Sequence, residues 1–124
     1  MLSRSFIVKK LMNSAVANVD VLRSLDLQGD DSSKSRDVYF LFRCTSKEKA
    51  GRAASFINDY QYGVATTLCE DDKNTIRVII NMPIQQHIIL SVAGFMTCLA
   101  ELHSIGLEEW GCVAQSQNVS KAGA

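Results

Sequence analysis

The chain has 124 residues, which is enough for one domain with a single hydrophobic core. Apolar residues make up 47% of it and charged residues 21%, with one proline, a composition that predicts a packed globular fold and excludes disorder. Thirteen basic residues balance thirteen acidic ones, so the chain lacks the basic excess of proteins that bind nucleic-acid phosphates.

An amphipathic helix is predicted near the N-terminus, within residues 1–28. Over residues 5–25 the apolar residues recur at steps of three and four, which gives a helix one apolar face. Gly29 suits the end of this helix, and the polar run over residues 30–35 is predicted to be a loop. The apolar face is predicted to consist of Ile7, Val8, Leu11, Met12, Ala15, Val19, Leu22 and Leu25.

The first strand and the helix after it follow this loop. Residues 37–44 are rich in aromatic and β-branched side chains on both faces, which predicts a central strand. Thr45 and Glu48 match a capping box, so a helix is predicted from there to about Tyr60. Its inward residues are predicted to be Ala50, Ala53, Ala54 and Ile57.

A hairpin and a second helix come next. Residues 64–70 are predicted to be the second strand, residues 71–74 a turn, and residues 75–82 the third strand. Pro83 ends that strand and can occupy the first turn of a helix that runs to about His103. The inward stripe of this helix is predicted to be Ile88, Val92, Phe95, Leu99 and Leu102.

The last strand completes the pattern of the fold. With a strand over residues 108–115, the order after the N-terminal helix is βαββαβ. Two right-handed crossovers around a hairpin predict an α+β, ferredoxin-like domain over residues 37–116, an antiparallel four-stranded sheet with both helices on one face. The first and third strands are the most apolar and are predicted to be central. Residues 117–124 are predicted to be a loose tail of this single folded unit.

The sheet face away from the two helices is predicted to carry Tyr39, Arg43 and Arg77. An aromatic residue and two arginines on a four-stranded sheet suggest single-stranded RNA binding. The third strand lacks the aromatic residues of RNA-recognition modules, however, so a covered face is the favoured interpretation and nucleic acid is disfavoured as a partner. The cover would be the N-terminal helix or a second copy of the chain, which leaves a homodimer open.

No catalytic residue, metal site or cofactor is predicted, and the chain is not expected to be an enzyme. His87 and His103 lie at opposite ends of one predicted helix, too far apart to share a metal. No apolar run is long enough to span a bilayer, so no membrane partner is expected. The widely spaced cysteines are predicted to be reduced, mostly buried thiols of a cytoplasmic protein, namely Cys44, Cys69, Cys98 and Cys112.

Two acidic clusters are candidate contacts for a protein partner. The first is predicted at the hairpin tip, where Glu70, Asp71 and Asp72 adjoin one another. Acidic side chains at a turn are normally solvated, which argues against a metal site there.

The second acidic cluster opens the last strand, where Glu108 and Glu109 precede Trp110 and Gly111. Successive residues of a strand point to opposite faces, so these two acids are not expected to work as a paired acid and base. Beside an aromatic side chain they are candidate recognition residues. Gly111 would let a backbone or a partner side chain approach Trp110 closely, although a buried tryptophan beside a bulge is an equal alternative.

Short motifs spread over most of the chain are shared with one known family. The N-terminal helix ends in Gly29-Asp30-Asp31, and Phe56 precedes Tyr62-Gly63-Val64. Near the end, Leu99-Ala100-Glu101-Leu102 leads through Gly106 to Glu109-Trp110-Gly111-Cys112. With these motifs the chain resembles the regulators of ribonuclease E activity, type B.

This resemblance implies a ferredoxin-like fold and a non-enzymatic inhibitor that binds the endonuclease and alters which transcripts it cuts. The implied partner is ribonuclease E or a related RNA-processing enzyme. Typical members are strongly acidic and have an acid-rich tail, whereas this chain is neutral and carries Gln115 where they have an acid. Attraction to a basic region of the enzyme is therefore expected to be weaker here.

A small-molecule sensor of the ACT type is the alternative function, because such domains share the βαββαβ order and usually dimerise. This hypothesis places a ligand in the loop between the first strand and the helix after it, near Cys44, Thr45 and Ser46. It predicts that an amino acid ligand would raise the midpoint of thermal unfolding.

Overall fold

The described part of the chain forms three helices and four strands. The computed structural model describes residues 4–71, 73–112 and 115, so the predicted tail at 117–124 lies outside the described residues. The elements follow the predicted order. They are α1 (Arg4–Leu27), β1 (Arg36–Cys44), α2 (Lys47–Asp59), β2 (Val64–Glu70), β3 (Lys73–Met82), α3 (Gln86–Leu102) and β4 (Gly106–Cys112).

One antiparallel sheet runs in the order β2-β3-β1-β4, with β1 and β3 at its centre. This order confirms the predicted α+β, ferredoxin-like arrangement. β4 begins earlier than predicted, at Gly106, because its pairing with β1 starts at Arg43, directly after α3 ends. β3 also begins earlier, at Lys73, so Lys73 and Asn74, which were predicted to lie in the turn, belong to this strand.

The core lies between the sheet and the helices α2 and α3. Alternate residues of β1 are fully buried, while Tyr39 between them is exposed, which is the period-2 pattern of a sheet with one covered face. All four predicted inward residues of α2 are buried, as expected. The large fully buried side chains are Val38, Phe40, Phe42, Ile57, Ile76, Val78, Ile84, Ile89 and Met96.

The buried face of α3 differs from the predicted stripe. Phe95 is 40% exposed and Leu102 is 75% exposed, so their predicted inward positions are wrong. The reason is that both the sheet and α1 cover α3. The side of α3 that faces them carries small residues such as Ala93 and Ala100, which are buried in the core. Thr97 is also buried. Its hydroxyl is satisfied there because it donates to the carbonyl of Ala93 at 2.9 Å.

Helix α1 packs alongside α3 and does not cover the open face of the sheet. Leu22 and Leu25 pack against the core, and the side chain of Leu11 lies close to Gly94 of α3. The expectation that α1 covers Tyr39, Arg43 and Arg77 is therefore wrong. The predicted apolar face of α1 is wrong for Val8 and Met12, which are exposed because the helix turns Leu11, Leu22 and Leu25 toward α3 and the core.

A buried ion pair joins the end of α1 to the start of β1. Asp30 and Arg36 are bonded at 2.6 Å, and each side chain is 2% exposed. Arg36 also donates to the carbonyls of Asp31 at 2.6 Å and Lys34 at 3.2 Å, so its buried guanidinium is well satisfied. The backbone N–H of Gln115 donates to Asp30 at 2.6 Å, which ties the segment after β4 to the same carboxylate.

Candidate docking surface beside the last strand

A groove of about 520 Å³ runs between α1 and β4, closed at its base by α3. Its apolar lining includes Val21, Ala100, Leu107 and Trp110, and its polar lining includes Asn13 and Asn18. Its charged lining consists of Lys10 and three carboxylates, Glu101, Glu108 and Glu109. The second acidic cluster predicted from the sequence therefore borders a concave surface.

Trp110 anchors this groove to α1. Its register opposite Phe40 places the indole on the helix side of the sheet, where it is half-buried against the core. The indole Nε1–H donates to the Asn18 side-chain oxygen at 2.5 Å, and Asn18 is 5% exposed. A buried asparagine on a helix requires such a partner, so this bond fixes α1 against β4. Nothing in the sequence spacing indicated this pair, because 92 positions separate its members.

The carboxylates of the groove have different surroundings. Glu101 is bonded to Lys10 and its side chain is 13% exposed, while the more exposed Glu108 is bonded to Arg43. Within the described part of the chain, Glu109 has no ion-pair partner and is exposed. Glu109 is therefore the carboxylate most available to an incoming cation.

A β-bulge changes the predicted directions of the two adjacent acids. Glu109 pairs with Leu41 and Leu107 pairs with Phe42, so Glu108 is the extra residue between them. Because Glu108 reaches Arg43 and Glu109 lies opposite Leu41, both adjoin the open face. The prediction that they point to opposite faces is wrong for this reason.

Gly111 lies beneath a side chain of the same protein. A Cβ built on Gly111 would lie 2.4 Å from the hydroxyl oxygen of Tyr39 and 2.8 Å from its ring carbon Cε1. The Tyr39 ring thus lies over Gly111, its partner in the β1–β4 register. This contact is not the predicted approach of a partner to Trp110, because Tyr39 belongs to the same chain and lies on the face of β4 away from the indole.

The hairpin acids lie far from this groove. Glu70 ends β2 and Asp71 occupies the turn with a φ of 49°, while Asp72 lies outside the described residues. β2 and β4 are opposite edges of the sheet, about three strand spacings or 14 Å apart. The two predicted acidic clusters therefore form separate surfaces.

The open face of the sheet exposes all three residues named for RNA binding. Tyr39 is 37% exposed, and Arg43 and Arg77 are exposed beside it. Two of them already have contacts within the chain, since Arg43 is bonded to Glu108 and Tyr39 lies over Gly111. Val64 and Leu68 of β2 share this face and are also exposed.

A cluster of aromatic rings on the outer side of α2 and α3 was missed by the sequence analysis. Phe56 lies 4.9 Å from Tyr60 and 5.2 Å from His103, and Tyr62 lies 4.7 Å from Phe95, between ring centroids. Tyr60 is 65% exposed. Spacing along the chain hid the cluster, because the contacts of Phe56 with His103 and of Tyr62 with Phe95 join residues far apart in sequence.

The remaining side chains of chemical interest have structural surroundings. Ser46, proposed beside a ligand loop, accepts from the N–H of Lys49 at 3.1 Å and caps α2. Cys69 and Cys98 are exposed, so the expectation that the thiols are mostly buried is wrong. Burial raises the pKa of the thiols of Cys44 and Cys112.

The described part of the chain offers neither a metal site nor a membrane-spanning helix. Over residues 4–71, 73–112 and 115, no three histidines, cysteines or acids gather as a metal site. Among the same residues, no helix has the length and apolar character to cross a membrane.

Comparison with known proteins gives the family. The pattern of the family described as regulator of ribonuclease activity B matches residues 16–112, more than three quarters of the chain. No curated protein matches the chain at a significant level of similarity. The matched stretch includes Asn18, Asp30, Arg36 and Trp110, the residues that join α1, β1 and β4. The chain therefore belongs to the regulator of ribonuclease activity B family.

Proposed function

We propose that this chain is a cytoplasmic, non-catalytic regulator that binds ribonuclease E or a related RNA-processing enzyme and changes which RNAs that enzyme cuts. Its family is one of regulators of ribonuclease activity, which supports the enzyme class of the partner. The observation that carries the proposal is the groove beside β4, whose lining includes half-buried Trp110 and the exposed Glu109, which has no ion-pair partner among the described residues.

The charge of this groove suits a basic segment of the partner. Enzymes that act on RNA present lysine and arginine side chains to its phosphates. Of the three carboxylates that line the groove, Glu101 pairs with Lys10 and Glu108 pairs with Arg43. Glu109, without an ion-pair partner among the described residues, is the one left to meet a cation of the partner. A regulator that occupies a basic surface of the enzyme would compete there with RNA.

The shape of the groove suits protein contact. Trp110 is held by Asn18, so its ring is fixed before a partner arrives and loses little conformational freedom on binding. Aromatic side chains fixed in partly closed pockets carry much of the energy of protein interfaces. The proposed contacts are Glu108, Glu109, Trp110 and the backbone at Gly111.

A matched pair of charge reversals tests this proposal. Purified chain would be titrated against purified ribonuclease E at low ionic strength, with binding followed by calorimetry. Glu109→Lys should weaken binding about tenfold, the equivalent of ~1.4 kcal/mol. The loss should shrink as salt is added, because salt screens exposed charges.

The control variant is Glu70→Lys, which makes the same charge change on the opposite edge of the sheet. It should leave the affinity within about twofold of wild type. If Glu70→Lys weakens binding more than Glu109→Lys, the hairpin cluster of Glu70, Asp71 and Asp72 is the contact surface instead. If the wild-type chain fails to bind the enzyme at all, the proposed function is wrong.

A further inference from the structure

The outward side of α1 exposes an apolar ridge that no other described element covers. Met12 is 64% exposed and Val16 is 66% exposed, and Val8, one turn earlier, is 48% exposed. These residues are four positions apart, so they line up along one side of the helix. We call Val8, Met12 and Val16 the α1 ridge. Folding alone does not require large apolar side chains at three successive exposed positions.

The two ends of the α1 ridge carry opposite charges. Lys9 stands near its N-terminal end, and Asp20 stands one turn after Val16. Both are exposed, and neither has an ion-pair partner within the described residues. Met12 and Val16 thus form an apolar centre with a base before it and an acid after it, and Val8 lies one residue beyond the base.

This arrangement is complementary to itself when a second copy runs antiparallel. With the two-fold axis at residue 14, Met12 of one copy faces Val16 of the other. Lys9 lies five positions before that axis and Asp20 lies six positions after it, so each lysine would approach the aspartate of the other copy. A parallel pair would instead place lysine against lysine and aspartate against aspartate.

We propose that the α1 ridge is a self-association surface, through which two copies of this chain pair by antiparallel packing of α1. The adjacent side of α1 is already occupied, because Leu11, Leu22 and Leu25 pack on α3 and the core. Residues 9–20 span about 17 Å of helix, and the few side chains along that length bury much less than the ~800 Å² per partner of a stable interface. The dimer is therefore reversible, and its population depends on concentration.

Sedimentation measurements over a roughly hundredfold concentration range would test the proposal. The mass of the wild-type chain should rise from 13.7 kDa toward twice that value as the concentration increases. Met12→Glu should leave the chain monomeric. Leu27→Glu is the matched control, because Leu27 is an 83% exposed apolar residue of the same helix, about 16 Å beyond Val16.

A charge swap makes the test specific for the antiparallel register. Lys9→Glu alone and Asp20→Lys alone should each weaken dimerisation by about tenfold or more, since both put like charges together. The double variant Lys9→Glu with Asp20→Lys should restore it. A wild-type chain that stays monomeric at every concentration, or a double variant no better than the single ones, would overturn the proposal.

Discussion

The Arg36 guanidinium donates to the Asp30 carboxylate inside the protein, with 2% of either side chain exposed to solvent. Asp30 also accepts from the backbone of Gln115, so one carboxylate holds the end of α1, the start of β1 and the segment after β4. The Gly29-Asp30-Asp31 motif thus has a structural role. Gly29 turns the chain with a φ of 82°, which places Asp30 inward.

Breaking this pair should be costly. Asp30→Asn is expected to lower the free energy of unfolding by about 3 kcal/mol, because Arg36 keeps its charge in a buried place without a counter-ion. Denaturant unfolding would measure the change. Asp31→Asn is the control, since the amide oxygen can still accept from Ser33, and it should change stability much less. Equal stability of Asp30→Asn and wild type would contradict this account.

The overlap of Tyr39 with Gly111 predicts opposite effects for two glycine substitutions. Gly111→Ala should destabilise the protein by ~1–2 kcal/mol, because the ring of Tyr39 must move away from the added methyl group. Gly51→Ala should stabilise it by ~0.5–1 kcal/mol, because Gly51 lies within α2 with open space around it. Thermal unfolding of both variants would show whether the two shifts have opposite signs.

The single tryptophan reports whether α1 is docked. Asn18→Ala should leave the indole N–H of Trp110 without its partner and cost ~1–3 kcal/mol. Water should then reach the ring, so the fluorescence maximum should move to longer wavelength in the native protein. Asn13→Ala removes an exposed asparagine from the same groove and should change neither reading. An unchanged spectrum for Asn18→Ala would show that this bond does not hold the helix.

The cysteines should divide into two classes of reactivity. Exposed Cys69 and Cys98 should react rapidly with a thiol reagent, and Cys44 and Cys112 slowly, because burial covers their sulfurs and raises their pKa. Counting labelled thiols with time by mass spectrometry would check this, with all four reacting after denaturation. Slow labelling of Cys98 would contradict its exposed position.

The thiols of Cys44 and Cys112 determine in which direction the free energy of unfolding changes at high pH. A pKa raised above its ordinary value of 9.0 means that the folded state holds the proton after the unfolded chain has lost it. Their contribution to stability is therefore complete below pH 9.0 and declines as the pH rises above that value.

The fold could be predicted because local patterns and the sheet agree. The alternation in β1 and the hydroxyl residues before α2 each specify an element without reference to distant residues, although the predicted capping box is wrong in its position, because the cap is Ser46 and not Thr45. The face of α3 could not be predicted in the same way. Phe95 and Leu102 belong to a regular apolar stripe in the sequence, yet both are exposed. The buried side of α3 carries small residues instead, because they let α1 and the sheet approach the helix more closely.

The docking surface was only partly predictable. The pairing of acids with Trp110 is local and could be recognised, but the groove exists because Asn18 lies 92 positions away in sequence and meets the indole. The bulge at Glu108 was also hidden, since it depends on the register of β4 against β1. Long-range pairs of this kind leave no period in the sequence.

The bulge has a consequence for solubility at high concentration. An extra residue and two carboxylates make the edge formed by β4 a poor template for a strand from another molecule. The other edge, β2, pairs with β3 in unbroken register and exposes Val64 and Leu68. Edge-to-edge aggregation of partly unfolded protein should therefore begin at β2, and a lysine in place of Leu68 is the substitution expected to delay it.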